Sequence, residues 1–182
     1  MCQALGVPPT TKYQNEGGPT PEQVIELLRR SVIPARLAAT AVNRFVDALA
    51  FNWIIYGTDG HAKNYSLLLS GSQVRLAPLY DVASALAYDD MYPPKLRMAM
   101  KIGGEYRVEA TTGRHWRNFA AANGLDPDET IARIARIVER VPDAFETVAK
   151  AETIRNLKSK LPDRLTERIS AEVEKCRTRL RH

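Results

Sequence analysis

The sequence predicts a mainly α-helical unit that carries a small β-hairpin insertion. The chain has 182 residues, of which 45% are hydrophobic and 26% are charged, and this size and composition are ordinary for one globular domain. Apolar residues recur at helical spacing over several long segments. Two short aliphatic runs flank Ser70-Gly71-Ser72, which is the pattern of a strand, a tight turn and a second strand.

The N-terminal segment is expected to be irregular and to lead into two helices. Residues 1–19 contain proline- and glycine-rich stretches, which favour turns over regular structure. The segment Thr20-Pro21-Glu22-Gln23 forms a capping box with proline at the first helical position, and the helix that it opens is predicted to end near Ser31. A longer helix is predicted over residues 35–56, because its apolar residues form one stripe, and Gly57 is expected to end it.

The centre of the chain is predicted to hold two strand pairs. Residues 65–69 and 73–77 form the first hairpin around Gly71. Residues 95–102 and 106–110 are expected to form a second, looser pair around Gly103-Gly104.

The C-terminal third is predicted to be helical. One helix covers about residues 113–123, and a second opens with a capping pattern at Asp126. Pro142 is expected to kink or break that second helix, because proline removes a backbone donor and clashes with the preceding turn. A last helix is predicted to begin near Pro162.

Charge and cysteine content limit the setting of the protein. The net charge is +5, and the segment 150–182 alone holds ten Lys or Arg against five Asp or Glu, so a basic C-terminal helix could contact DNA phosphates or simply be solvated. Cys2 and Cys176 lie at opposite ends, which does not suggest a disulfide framework. The sequence shows no run long enough to span a membrane and no signal peptide, so we expect a cytoplasmic protein without a membrane partner.

The residues that carry chemistry are concentrated in residues 57–64, with the sequence GTDGHAKN, and residues 76–81, with the sequence LAPLYD. An antiparallel hairpin centred on Gly71 places residues whose numbers sum to about 142 opposite each other, so Asn64 should face Pro78. Both ends of the hairpin then open at one place. The side chains expected to converge there are those of Asp59, His61, Lys63, Asn64, Tyr80 and Asp81.

This set of side chains suits phosphoryl transfer. Carboxylate and amide oxygens are the ligands that magnesium prefers, and the five-residue step from Asp59 to Asn64 is the catalytic-loop spacing of protein kinases. Taken singly, Asp59 and Asn64 could be turn residues, His61 a structural histidine and Lys63 a solvated cation. Tyr80 is equally consistent with a core residue and with a contact to a nucleotide.

At these residues the chain resembles a known family. The segments 58–64 and 78–81 look like the signature of HipA-type kinases, the toxin halves of bacterial persistence toxin–antitoxin modules. The resemblance extends upstream through residues 1–4, Lys12-Tyr13 and Gly17-Gly18, and downstream through residues 95–100 and the final helices, so it covers essentially the whole chain. The ordinary protein-kinase signature matches less well, because Gly57-Thr58 precedes Asp59 in place of His-Arg and Val82-Ala83 follows Asp81 in place of Phe-Gly.

The resemblance implies a two-lobed serine/threonine kinase of which residues 1–182 form the C-terminal lobe, with residues 1–19 as the lead-in from the interlobe hinge. It implies Asp59 as the catalytic base and Asn64 and Asp81 as magnesium ligands. The ATP-site residues that it implies are His61, Ala62, Lys63, Asn64, Tyr80 and Asp81. Ordinary kinases carry a lysine at the position of His61, and we hypothesise that Lys63 supplies that positive charge.

The resemblance also implies partners. HipA-type kinases phosphorylate protein substrates such as an aminoacyl-tRNA synthetase, and they pair with a DNA-binding antitoxin. The chain lacks the glycine-rich loop and strand lysine of a kinase N-lobe, since Gly103-Gly104 follows the catalytic residues and lacks the motif. We therefore expect an N-lobe partner to be needed and transfer by the chain alone to be negligible.

Two other functions remain open from the sequence. The chain could be a non-catalytic interaction module that docks an antitoxin or DNA through its helical surface and basic C-terminal helix. It could also be a metal-dependent phosphoesterase built on Asp59, His61 and Asp81, although a single histidine in the cluster argues against a two-metal site.

Overall fold

The computed structural model describes residues 1–91 and 93–182, and it confirms a mainly helical fold with two small antiparallel hairpins. The helices are α1 (Pro21–Ser31), α2 (Ala35–Ile54), α3 (Gly113–Ala122), α4 (Pro127–Ala149), α5 (Glu152–Arg155) and α6 (Leu161–Leu180), and the strands are β1 (Leu67–Ser70), β2 (Gln73–Leu76), β3 (Arg97–Ile102) and β4 (Glu105–Arg107). Short 3₁₀ turns lie at Gln3–Leu5, Gln14–Glu16, Ala62–Asn64, Ala85–Ala87 and Pro93–Lys95.

The first helix begins and ends where the sequence predicts. The backbone N–H of Gln23 donates to the Thr20 hydroxyl at 3.3 Å, and the backbone N–H of Thr20 donates to the Gln23 amide oxygen at 2.9 Å, which completes the capping box. The second helix ends two residues before the predicted Tyr56, because Tyr56 adopts a φ of +56° and the chain turns away there.

The pairing of the first hairpin differs from the prediction by one residue. Ser70 pairs with Gln73 and Leu67 pairs with Leu76, so facing positions sum to 143. The reason is that the turn contains two residues, Gly71 and Ser72, and its centre lies between them rather than on Gly71. The predicted position of Asn64 opposite Pro78 is therefore wrong by one residue.

The second strand pair is shorter than predicted. Gly103 and Gly104 form its turn with φ values of +55° and +94°, a conformation in which glycine is favoured. The strand β4 ends at Arg107, because the chain then turns and the N–H groups of Ala110 and Thr111 both donate to the Arg107 carbonyl.

Pro142 does not break its helix, so that half of the prediction is wrong, whereas the expected kink stays a prediction. The helix α4 continues through Pro142 to Ala149, with Val138 and Val141 buried on the preceding turn. Because α4 packs most extensively against α6, burial of this face compensates for the one backbone hydrogen bond that proline removes. The short helix α5 was not predicted, and α6 begins one residue before the predicted Pro162.

The core lies where α2, α3, α4 and α6 meet. Trp116 packs edge-to-face against both Trp53 and Phe119, with ring centroids 5.9 Å apart in each pair. The indole N–H of Trp53 donates to the Val108 carbonyl at 3.0 Å, which ties the second hairpin segment to α2. A Cβ atom on Gly113 would lie 2.2 Å from the Leu180 carbonyl oxygen, so the start of α3 contacts the end of α6 directly.

A buried polar network links the end of α2 to α6. We call it the α6 network, and it consists of Tyr56, Glu109, Glu172 and Arg179. The Tyr56 hydroxyl donates to Glu172 at 2.6 Å and accepts from the Arg179 guanidinium at 3.3 Å, and the Arg179 guanidinium lies 3.6 Å from Glu109. Burial, followed by the hydrogen bond to Glu172, raises the pKa of Tyr56 well above its ordinary value, so the hydroxyl stays protonated.

The helices of the described residues 1–91 and 93–182 include none that is both long and apolar enough to cross a membrane. Cys2 and Cys176 are free and buried.

Candidate active site

The loop that follows α2 rests on one buried amide, Asn52. The Asn52 side chain is 6% exposed, and its Nδ2 donates to the Tyr65 hydroxyl at 3.0 Å. A Cβ atom on Gly57 would lie 2.3 Å from Asn52 Oδ1, and one on Gly60 would lie 2.9 Å from Asn52 Nδ2. The two glycines therefore let the loop lie directly against this amide. Sequence reasoning missed Asn52, although a polar residue beside the apolar stripe of α2 was a usable signal.

The segment that carries Asp81 is fastened beside this loop. The backbone N–H of Ala77 donates to the Ser66 carbonyl at 2.9 Å, which extends the hairpin beyond β2. The Ser84 hydroxyl donates to the Ile55 carbonyl at 2.5 Å, and the N–H of Ala85 donates to the Tyr56 carbonyl at 3.0 Å. Asp81 is thus held between two anchored stretches, one on the hairpin and one at the end of α2.

Asn64 and Asp81 are in direct contact. The Asn64 Nδ2 donates to Asp81 Oδ2 at 2.7 Å and to the Asp81 carbonyl at 3.3 Å. Asn64 is 5% exposed, and its Oδ1 is buried without a hydrogen-bond partner. Because a carboxylate only accepts hydrogen bonds, the amide nitrogen must face Asp81 and the unpartnered oxygen lies on the other side. The pair thus includes a buried amide oxygen without a partner and an exposed carboxylate, and both are of the oxygen type that a hard cation prefers as a ligand.

Asp81 also has a strained backbone, with a φ of +53°. A residue other than glycine in this region costs on the order of 1–2 kcal/mol, although aspartate tolerates it better than most residues. This conformation is maintained although the Asp81 side chain is exposed to solvent.

Asp59, in the loop that follows α2, accepts a hydrogen bond from Tyr13. The distance from the Tyr13 hydroxyl to Asp59 Oδ1 is 2.5 Å, and the Asp59 side chain is 58% exposed. This hydrogen bond, with a smaller contribution from desolvation, raises the pKa of Tyr13 to about 12. Tyr13 is thus a donor to Asp59 at neutral pH. Sequence reasoning quoted Tyr13 only as part of a resemblance and assigned it no contact.

His61 is buried next to Asp59 and is neutral at pH 7. It is 4% exposed, its Nε2 lies 3.8 Å from Asp59 Oδ1, and its ring packs edge-to-face on Tyr13 at 5.0 Å. Burial lowers the pKa of His61 below its ordinary value of about 6.5 more than the Asp59 charge raises it. The Nδ1 atom is buried without a partner. His61 therefore does not supply a positive charge at neutral pH.

The remaining predicted residues lie at the mouth of the hairpin. The Tyr80 hydroxyl donates to the Lys63 carbonyl at 2.5 Å and is also 2.5 Å from the Ser66 hydroxyl. Tyr80 is 41% exposed, so the alternative that it is a core residue is wrong. The Lys63 side chain is exposed, and Ala62 is fully buried. The structure thus brings together Asp59 with His61, Asn64 with Asp81, and Tyr80 with the backbone of Lys63.

The site offers few side chains that could coordinate a metal ion. Among the described residues, no group of three or more His, Cys, Asp or Glu side chains could hold a metal ion. This gives no support to a two-metal phosphoesterase site. It is compatible with magnesium, which usually binds one or two protein carboxylates and completes its shell with waters and substrate phosphates.

Comparison with known proteins relates this chain to kinases. The chain is 41% identical over 148 residues to Y4mE of Sinorhizobium fredii, which is named as a candidate kinase, and 27% identical over 156 residues to the serine/threonine-protein kinase toxin HipA of Shewanella oneidensis. Each alignment covers 81% of this chain but only 34% and 35% of the respective relative. The chain therefore spans about a third of the length of these relatives.

A solved structure shows the same fold. A chain in the Shewanella oneidensis complex of HipA, HipB and operator DNA matches 99% of this chain with a TM-score of 0.81 and 21% sequence identity. The match covers 43% of that chain. Finally, residues 1–145 match the family described as the HipA-like C-terminal domain, which is most of the sequence. The chain therefore belongs to the HipA-like C-terminal domain family.

Proposed function

We propose that the chain forms the C-terminal half of the active site of a magnesium- and ATP-dependent serine/threonine protein kinase. The observation that carries this proposal is the hydrogen-bonded pair of Asn64 and Asp81, which includes a carboxylate and a buried amide oxygen without a partner. A buried polar atom without a partner costs roughly 1–3 kcal/mol, and a ligand that hydrogen-bonds or coordinates it would remove that cost. Membership of a family whose relatives are named as kinases supports the same proposal.

The roles follow from the positions of the side chains. Asp59 would accept the proton of the substrate hydroxyl, since it is exposed and only its Oδ1 is engaged by Tyr13. Asn64 and Asp81 would hold the magnesium ion, and the nucleotide would be lined by His61, Ala62, Lys63, Asn64, Tyr80 and Asp81. Magnesium, when bound, neutralises charge on the transferred phosphoryl group. Because His61 is neutral, the hypothesis that Lys63 supplies the cation near the phosphates gains support.

We also propose that residues beyond this chain complete the site. The sequence lacks a glycine-rich loop and its strand lysine, and the relatives are about three times as long as the matched region. Residues 1–182 would then act as one C-terminal lobe, with residues 1–19 as the lead-in from the hinge. An N-lobe, on the same or on a separate polypeptide, would supply the missing half.

The first experiment tests the ligand site by isothermal titration of ATP into the chain, with and without magnesium. We expect magnesium-dependent binding that falls at least about tenfold in Asp81→Asn, because the variant removes a charged ligand. Asp128→Asn is the matched control, since Asp128 is 86% exposed and its ion pair with Arg117 lies on the surface. Binding that is independent of magnesium, or that is equally weak in both variants, would contradict the proposal.

The second experiment tests the need for an N-lobe. Phosphoryl transfer to a serine peptide should be negligible for the chain alone and should appear when the N-terminal region of a full-length relative is added. Asp59→Asn should abolish the restored activity. Robust autophosphorylation by the chain alone, lost in Asp59→Asn, would show that no N-lobe is required.

The partners are proposed from the structural relative. That relative was solved in complex with HipB and operator DNA, and we propose a DNA-binding antitoxin and a protein substrate, such as an aminoacyl-tRNA synthetase, for this chain in a cytoplasmic setting. Direct DNA contact through α6 has weaker support. Arg179 is 13% exposed within the α6 network, and Arg177 pairs with Glu139 and Glu174. The exposed cations that remain for such a contact lie outside the ends of α6 and include Lys158 and Lys160 before the helix and Arg181 after it.

A measurement of DNA binding also tests the alternative that the chain is a non-catalytic interaction module. Salt-dependent binding to duplex DNA that is lost in Lys158→Gln, Lys160→Gln and Arg181→Gln together, without any magnesium-dependent binding of ATP, would favour an interaction module. Binding of magnesium-ATP with no DNA binding would favour the kinase.

A further inference from the structure

We infer that a groove between α2 and α4 binds a small phosphate monoester that carries an apolar body. The groove has a volume of ≈ 660 Å³, which lies within the range of roughly 300–1,000 Å³ that is usual for small-molecule sites. Neither Asp59 nor the Asn64–Asp81 pair lines it, so the inference does not depend on the proposed kinase function. We call it the α2–α4 groove.

The floor of the α2–α4 groove is apolar. One position of α2 and successive turns of α4 supply its apolar lining residues, which are Phe51, Ala135, Ile137, Val141 and Ala144. Ile137, Val141 and Ala144 recur at helical spacing and therefore form one stripe. Phe51 is half-buried, and its ring stacks on Phe145 with centroids 6.4 Å apart and planes inclined by 27°. Such a floor favours a ligand with an apolar body.

An ion pair fixes the two helices to each other along the groove. Arg133 Nε donates to Asp47 Oδ1 at 2.5 Å, and its Nη2 donates to Asp47 Oδ2 at 2.6 Å. This bidentate contact crosses from α4 to α2, and both of its partners line the groove. The width of the groove is thus set before a ligand arrives, which reduces the ordering cost of binding.

The two carboxylates in the lining already have arginine partners. Asp47 is paired with Arg133, and Glu139 accepts from Nε and Nη2 of Arg177 on α6 at 2.8 Å and 2.6 Å. Asp143, the next acid along α4, is exposed and lies outside the lining. The acids of the groove are therefore neutralised by cations other than the two that remain.

Those two remaining cations are Arg136 and Arg140. Both line the groove and are exposed, and no carboxylate of residues 1–91 or 93–182 lies within 4.0 Å of either. They are four residues apart on one helix, where Cβ atoms are separated by roughly 6 Å and like charges repel. An anion bound by both guanidinium groups removes that repulsion. A phosphate monoester matches them, because it carries almost two negative charges and three acceptor oxygens.

The size of the groove favours a small molecule over a macromolecule. Ten described residues line it, whereas a stable protein interface engages roughly 20–30 residues on each partner. Contacts to the backbone of duplex DNA are made by cations and polar groups and need no apolar floor. The combination of a paired-arginine rim and an apolar floor therefore selects a compact ligand that has both a phosphate and an apolar part.

The test is isothermal titration of 2-naphthyl phosphate into the 182-residue chain, without magnesium or nucleotide. The matched probes are 2-naphthol, which has the apolar body alone, and inorganic phosphate, which has the charge alone. We expect 2-naphthyl phosphate to bind at least about tenfold more tightly than either, since only this probe uses both the floor and the arginines. Its affinity should fall as salt is added.

Variants of the rim and of the floor locate the binding. In Arg136→Gln/Arg140→Gln the affinity for 2-naphthyl phosphate should fall at least about tenfold, towards that of 2-naphthol. The matched control is Arg30→Gln/Arg36→Gln, which changes two exposed arginines of α1 and α2 outside the lining. Ala144→Glu places a carboxylate in the groove at an exposed helical position, so it should fold and should weaken 2-naphthyl phosphate more than 2-naphthol.

Several outcomes would overturn the inference. Equal affinities for 2-naphthyl phosphate and 2-naphthol, or equal losses in the two double variants, would show that the arginines do not select the phosphate. Binding of duplex DNA that is lost in Arg136→Gln/Arg140→Gln would identify a general anion surface. Binding to vesicles that contain phosphatidic acid, without binding of 2-naphthyl phosphate, would assign the arginines to a membrane surface.

One further variant separates this groove from the candidate active site. Asp81→Asn should leave the binding of 2-naphthyl phosphate unchanged, because Asp81 does not line the groove. Loss of that binding in Asp81→Asn would place the probe in the candidate active site and overturn the inference. Binding of 2-naphthyl phosphate without magnesium-dependent binding of ATP would support the α2–α4 groove and reject the kinase site.

Discussion

Two clusters of buried polar groups meet at the end of α2, and they differ in how completely they are satisfied. In the α6 network the Tyr56 hydroxyl, the Glu172 carboxylate and the Arg179 guanidinium all have partners. In the loop that follows, Asn64 Oδ1 and His61 Nδ1 have none. Natural proteins leave few buried polar atoms without a partner. The difference indicates that the α6 network serves stability, and the unmet hydrogen-bonding capacity of the loop supports the proposal that it binds a ligand.

The largest effect on stability is expected from a substitution that breaks the α6 network. Glu172→Ala removes the acceptor of the Tyr56 hydroxyl and of Lys175, and it leaves the Arg179 guanidinium with less compensation. Breaking a buried charged pair from one side costs about 3 kcal/mol, so urea denaturation should show a loss of that order in the free energy of unfolding. Glu174→Ala, on the same helix, is the control, because the Glu174 side chain is 68% exposed and pairs with Arg177 at the surface. A loss in Glu172→Ala no larger than that in the control would show that the network does not stabilise the fold.

The second prediction concerns Gly57, which joins Tyr56 of the α6 network to the loop that follows α2. Gly57→Ala would place a Cβ atom 2.3 Å from Asn52 Oδ1, and the Asn52 amide is held by Tyr65. Overpacking of this kind costs about 2 kcal/mol and should also weaken magnesium-dependent ATP binding, because the loop must shift. In the double variant Asn52→Ala/Gly57→Ala the contact with the Asn52 amide is removed, so the two losses in the free energy of unfolding should be less than additive. Strict additivity would show that the loop does not rest on Asn52.

The third prediction tests the backbone strain at Asp81, in the segment that contacts the loop after α2. Asp81→Gly relieves a φ of +53° but loses the hydrogen bond from Asn64, so the free energy of unfolding should change by less than about 1 kcal/mol. Lys158→Gly is the matched control, since Lys158 has a φ of +51° far along the chain from the site. It should be stabilising by up to about 1 kcal/mol. Magnesium-dependent ATP binding should be lost only in Asp81→Gly, and its retention there would reject Asp81 as a ligand.

The same comparison explains what the sequence could predict of the fold. The capping box at Thr20 and the hairpin turn at Gly71 depend on neighbouring residues, and both were predicted. The continuation of α4 through Pro142 depends on packing against α6, which no local pattern encodes. The register error arose for a local reason as well, because a turn of two residues differs from one centred on Gly71 by one position.

The candidate site likewise has features that the sequence could predict and contacts that it could not. The spacing of Asp59, Asn64 and Asp81 was visible in the sequence, and the structure brings Asn64 and Asp81 into contact even though the predicted register was off by one residue. The contacts of Asn52 with Gly57 and of Tyr13 with Asp59 join segments whose pairing depends on the packed fold. The roles of these residues in binding and catalysis stay predictions.

The smallest expected effect is a pH dependence of stability that originates in His61. Because burial lowers the pKa of folded His61, the unfolded chain takes up a proton first as the pH falls below the ordinary value of about 6.5. The stability that His61 provides is complete above that pH and is lost as the pH falls through the lowered pKa. Asp59 opposes this effect, and the charges of Lys12 and Lys63 reinforce it.

Removing the imidazole should therefore remove part of the acid sensitivity. The free energy of unfolding is to be measured at about pH 7.5 and at about pH 5.5, and its fall between them should be smaller in His61→Gln than in the wild type. His182→Gln, which changes an exposed residue at the C-terminus, should behave as the wild type does. If His61→Gln shows the same fall as the wild type, the unpartnered imidazole is protonated without cost in the fold. In that case burial does not lower the pKa of His61, and the support that a neutral His61 gives to Lys63 as the cation beside the nucleotide is weakened.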